Sequence, residues 1–115
     1  MSFDFTEFAE DYVSSLMEAL GNLPINRMEE FWQLVENARK SDATVHFIGN
    51  GGSAGTPSHS AGDWSKELSL RTISHVDNSP ALTAWANDTD FENVFVGQLS
   101  TFASPGDVVI GFSGS

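Results

Sequence analysis

The stretch that most constrains this chain is Thr44-Val45-His46-Phe47-Ile48, followed by Gly49-Asn50-Gly51-Gly52-Ser53 and a polar-faced segment running to Leu68. An apolar run that ends in three glycines within four positions reads as a strand, a tight loop and a helix. Glycine opens backbone dihedrals closed to other residues, so loop N–H groups can point at an anion where the next helix begins. Such a turn can also be no more than a passage from strand to helix. What surrounds it favours a ligand. Asn50 and Ser53 add side-chain donors and acceptors, and His59 and Asp63, four residues apart, share one face of the following helix.

The flanking segments supply the rest of an α/β pattern. Phe3, Phe5, Phe8, Tyr12, Leu16, Met17 and Leu20 recur at near-helical spacing, and Gly21-Asn22-Leu23-Pro24 breaks that helix. A second helix is expected from about Asn26, as cap, to Lys40. The aromatic-rich pair serves either core packing or oligomerisation. The helix after the loop is expected to start between Ser53 and Thr56, with Ala61, Trp64 and Leu68 toward the core and His59, Asp63 and Lys66 opposite. Gly62 in its middle allows either a close backbone approach or simple tolerance. Thr72 to Val76 reads as a second strand, Asn78 or Ser79 as a cap with Pro80 at the first helical position, and Asn87-Asp88-Thr89-Asp90 as a polar break. Phe91, Val94, Phe95, Leu99 and Phe102 form another apolar stripe, and Val108 to Phe112 a third strand. Alternating strands and helices predict a doubly wound parallel sheet preceded by two N-terminal helices, with ligand contacts at the carboxyl ends of the strands.

Charge and composition remove several classes of function. Five basic residues against sixteen acidic ones give a formal net charge of −11, with no basic stripe, which argues against nucleic acid as a ligand. The absence of cysteine excludes disulfides and thiolate metal sites. No apolar run reaches membrane-spanning length, and the first residues lack the pattern of a signal peptide, so the expected location is cytoplasmic.

Taken together, Gly49-Asn50-Gly51-Gly52-Ser53, His59, Leu82-Thr83-Ala84 leading into Asn87-Asp88, and Pro105-Gly106-Asp107-Val108-Val109-Ile110-Gly111 before a serine pair resemble the SIS (sugar isomerase) domain family, in its phosphoheptose isomerase branch. The resemblance implies a flavodoxin-like SIS domain over 1–115, with helices at 1–42 and the first part of the α/β core at 43–115. It also implies the amino-terminal portion of a longer protein, because family members continue beyond the serine-rich loop in which this chain stops.

The same resemblance assigns roles. Asn50, Gly51, Gly52 and Ser53 match the substrate loop, Asn87 and Asp88 a second substrate contact, and Ser113 and Ser115 the hydroxyls that grip phosphate. His59 matches a position that ligates zinc in some members. Asp63 stands where the family usually has a glutamate, the catalytic base and a metal ligand in some members, and Gly114 replaces a hydroxyl residue. The implied reaction interconverts sedoheptulose 7-phosphate and glycero-manno-heptose 7-phosphate through an enediol, for heptose incorporation into lipopolysaccharide. No organic cofactor is needed, and the expected assembly is a homotetramer. The resemblance implies that the partner acid is a histidine beyond Ser115; His46 and His75, each within a strand, read as satisfied core or interface histidines rather than catalysts. The alternative within the resemblance is a non-catalytic regulator that binds a phosphosugar or a partner protein.

Overall fold

The computed structural model describes residues 2–114, in the order α1 (Phe5–Gly21), α2 (Ile25–Lys40), β1 (Thr44–Gly49), α3 (Gly52–Leu68), β2 (Arg71–Ser74), α4 (Ser79–Asp88), α5 (Asn93–Phe102) and β3 (Val108–Phe112). Ser115, expected to bind phosphate, lies outside the described residues. The chain forms two compact units, 1–31 and 32–115, divided within α2.

In the first unit, Asp4 caps α1 by accepting from the Thr6 and Glu7 amides at 2.9 and 3.1 Å. Helix α1 buries none of its residues, and Phe8 packs its ring against Phe3 and Tyr12. Helix α2 begins one residue before Asn26, which therefore lies inside the helix rather than capping it.

In the second unit three parallel strands take the order β2-β1-β3, with Val45 opposite Thr72 and Val108. That is the opening order of a flavodoxin-like sheet. Neighbouring residues of a strand face opposite ways. Phe47 points at Trp64 of α3, ring centroids 5.2 Å apart, whereas His46 points to the other face, toward His75 and Asp107. The apolar core consists of Ala38, Val45, Phe47, Ala61 and Leu70, with Val35, Trp64, Ile110 and Phe112 packed against it. Leu68, expected in the core, is half exposed at the end of α3.

Three boundaries differ from expectation. Helix α3 starts at Gly52 behind Gly51, with no side-chain cap, so Ser53 and Thr56 lie within it. Asn87 and Asp88 form the last turn of α4 rather than a break, because Thr89, with φ −129° and ψ −109°, is the residue that leaves the helix. Strand β2 ends at Ser74, which puts His75 just beyond it, although the His75 amide still donates to the Phe47 carbonyl at 3.0 Å. Asn78, one of two expected caps, accepts from the Ala81 amide at 3.1 Å.

Candidate active site

The loop after β1 is shaped by two glycines with different jobs. Gly51 has φ +57°, in the region that side chains disfavour. Gly49 is needed for space, since a Cβ there would collide with the Ser53 carbonyl and stand 3.2 Å from the Phe112 carbonyl. Pro57 explains why that carbonyl is available: it stands four residues after Ser53, offers it no N–H, and crowds it with its ring. Pro57 is itself buried within α3. Gly52 meets open space, and so does Gly62, so nothing among the described residues requires a glycine in the middle of α3.

Strands β1 and β3 lie side by side with Ile48 opposite Gly111 and Gly49 opposite Phe112. This register brings their following loops together. A cleft of about 430 Å³ opens there, lined by Ile48, Gly49, Asn50 and Ser53 on one side, Gly111 to Gly114 on the other, and Phe95 of α5. Of the expected site residues, the cleft gathers Asn50, Ser53 and Ser113. The Ser53 and Ala54 amides are already bonded to the Asn50 and Gly51 carbonyls at 3.0 Å. An anion in the cleft would therefore meet earlier loop amides and side-chain hydroxyls. Among the described residues no cation lines the cleft, and all five Lys and Arg side chains are engaged with carboxylates elsewhere: Arg27 with Glu30, Arg39 and Lys40 with Glu36, Lys66 with Glu67, and Arg71 with Asp42.

His59 and Asp63 sit further along α3, with Nε2 and Oδ2 3.0 Å apart and side chains 80% and 59% exposed. At 1.5 Å per residue, Asp63 lies about 15 Å along the helix from Ser53. The pair does not line the cleft. Neither do Asn87 and Asp88, which are bonded to each other at 2.9 Å; Asp88 edges a separate hollow with Ala81, Ala84 and Trp85. Zinc needs about four ligands, and among the described residues no third histidine, aspartate or glutamate joins His59 and Asp63. These residues alone do not make a zinc site. Phe95, Ile48 and Phe112 went unnoticed as lining residues, because an apolar stripe reads as core whether or not one member reaches a cleft.

No protein-family model matches the chain. Over 110 residues it is 36% identical to the probable phosphoheptose isomerase of Thermoplasma volcanium, covering 91% of this chain and 56% of that protein. Over 87 residues it is 42% identical to the phosphoheptose isomerase of Crocosphaera subtropica, covering 71% of this chain and 44% of that protein. The solved phosphoheptose isomerase of Neisseria gonorrhoeae superposes with a TM-score of 0.83 at 31% identity, over 96% of this chain and 59% of its own. Over most of its own length the chain is similar to phosphoheptose isomerases in both sequence and fold. It spans about half the length of the curated relatives named here. Within the phosphoheptose isomerase fold, the cleft occupies the carboxyl ends of adjacent parallel strands, where open α/β sheets place their ligands.

Proposed function

We propose that the protein is a phosphosugar aldose–ketose isomerase, converting sedoheptulose 7-phosphate to glycero-manno-heptose 7-phosphate through an enediol. It works in the cytoplasm as a homotetramer and without an organic cofactor. The observation that carries this reading is the convergence of Asn50, Ser53 and Ser113 on one cleft, at the start of the helix that also bears the His59–Asp63 pair.

In this reading the phosphate is a handle. Loop amides around Gly51 and Gly52 and the hydroxyls of Ser53, Ser113 and Ser115 hold it, so that binding energy fixes the reacting carbons. Asp63 removes the proton beside the carbonyl, and His59, 3.0 Å away, orients its carboxylate. An acid from outside the described residues returns a proton to the neighbouring carbon. Because Asp63 does not line the cleft of its own chain, the site is placed between copies, a sugar held in one copy's cleft meeting the Asp63 of another, with Asn87 and Asp88 adding a second contact. Zinc on His59 and Asp63 would take its remaining ligands from outside the described residues.

Asp63→Asn keeps size and polarity and should leave phosphosugar binding nearly unchanged while lowering turnover by about 10²- to 10⁴-fold. The assay is isomerisation of sedoheptulose 7-phosphate by the intact protein. Equal turnover by the variant would remove Asp63 from the role of base.

A further inference from the structure

On the sheet face opposite Trp64, four buried or nearly buried polar side chains form a continuous chain. His46 is fully buried, His75 is 1% exposed and Gln98 is 4% exposed. His46 Nε2 lies 3.0 Å from Asp107 Oδ2, His46 Nδ1 lies 3.0 Å from His75 Nε2, and His75 Nδ1 lies 3.3 Å from Gln98 Oε1. The two rings are 5.2 Å apart at their centroids with planes 14° apart. Their nitrogens are far closer than their centroids, so the rings meet edge to edge in a hydrogen bond.

Both ends of this chain accept. Gln98 Nε2 donates to the His75 and Val94 carbonyls at 2.9 and 2.8 Å, which fixes Oε1 as the atom facing His75. Asp107 accepts from the Thr44 and Ser104 amides, each at 2.8 Å, in addition to facing His46. Hydrogen bonds from His46 and from the two amides hold its carboxyl down at about 2, so the group is a carboxylate at neutral pH. Three contacts between two acceptor ends need three ring hydrogens, one on His46 Nε2, one on His75 Nδ1 and one between the rings. Two neutral imidazoles carry only two. We propose that His46 and His75 together hold one proton in excess at neutral pH, a buried monocation opposite Asp107 that fastens α5 to the sheet.

The surroundings supply no competing charge. Helix α5 contributes Gln98 and, 6.1 Å from the His75 ring centroid, Phe102, and it has no ionisable side chain along its length. Arg71 of β2 is exposed and bonded to Asp42; Asp77, after His75, is exposed and accepts the Ser58 hydroxyl; Asp88 of α4 is exposed and bonded to Asn87. Burial pushes His75 below the ordinary imidazole range, opposed by its bond to Gln98 and reinforced by the nearby His46, so burial works against the extra proton and the contacts to Asp107 and Gln98 are what hold it. Because α5 also carries Phe95 into the cleft, proton loss loosens that wall. The inference does not depend on the isomerase reading.

The test is a ring ¹⁵N–¹H correlation of the intact labelled protein at pH 7. Three ring hydrogens shared by His46 and His75 support the proposal, and two overturn it. Asp107→Ala, which removes the acceptor facing His46, should reduce the count to two; a variant that keeps three overturns the pairing with Asp107. If that variant does not fold, the count in the parent protein decides. On raising the pH until the dyad loses its extra hydrogen, protection of the Gln98 and Leu99 amides, corrected for intrinsic exchange, should fall at least tenfold. Unchanged protection would break the link to α5.

Discussion

A single methyl group at position 49 distinguishes the three glycines that the sequence presents as equals. At Gly49 the obstacle is backbone, the carbonyls of Ser53 and Phe112, and neither can swing aside as a side-chain tip would. Gly49→Ala should destabilise by about 1–3 kcal/mol and weaken phosphosugar binding, because relief of the clash separates α3 from β3. Gly51→Ala, at φ +57° and ψ −125°, should cost about 1–3 kcal/mol, and Gly52→Ala, facing open space, close to nothing. Denaturant melts of the three variants check the order, and a Gly49→Ala protein as stable as Gly52→Ala would refute the packing account. Composition showed that this loop could bend; it could not show which glycine is pressed and which is merely turned.

At the level of elements, what was legible came from periodicity. Strands β1 and β3 appear almost where their apolar runs lie, because the strands of a covered parallel sheet are marked by nearly continuous hydrophobicity. The start of α3 was misplaced because the reading looked for a Ser or Thr cap, whereas Gly51 begins the helix by conformation alone. Asn87 and Asp88 looked like a break because polar clusters usually are, yet helix propagation needs no apolar residue in an exposed last turn. The largest omission is the polar side of α5. Hydrophobic patterning marked Val94 and Leu99 and was blind to Gln98, which is 4% exposed, since a buried amide is recognised only by its partners. His46 and His75 were read correctly as satisfied histidines, but that Asp107 satisfies one of them is a fact of tertiary structure. Among the expected site residues, the order of motifs led to Asn50, Ser53 and Ser113. It could not say that His59 and Asp63 stand apart from them, because spacing along a helix gives direction and not the position of a ligand.

For the molecule as a whole, the exposed apolar residues bear on assembly. Phe3, Phe5, Phe8, Tyr12, Leu16, Met17 and Leu20 are each between 47% and 72% exposed in a single copy. A row of this kind marks an interaction surface, and the proposed partner is another copy of the same protein. Sedimentation of the intact protein should show a homo-oligomer at micromolar concentration, shifted toward smaller species by Met17→Glu; a parent protein that runs as a monomer would contradict the shared site. The parallel sheet also dictates an order of events in time. The bridge from the Thr44 amide to Asp107 joins residues 63 positions apart, whereas His46 and His75 are separated by 29. Closing a loop a little over twice as long costs about 0.6 kcal/mol more in chain entropy, which favours pairing of β2 with β1 ahead of β3. The cleft, which has β3 as one wall, then forms only after β2 and β1 have paired. Asp107 substitutions should accordingly speed unfolding while leaving the refolding rate nearly unchanged in stopped-flow measurements; refolding slowed in proportion to the lost stability would put β3 in the nucleus instead.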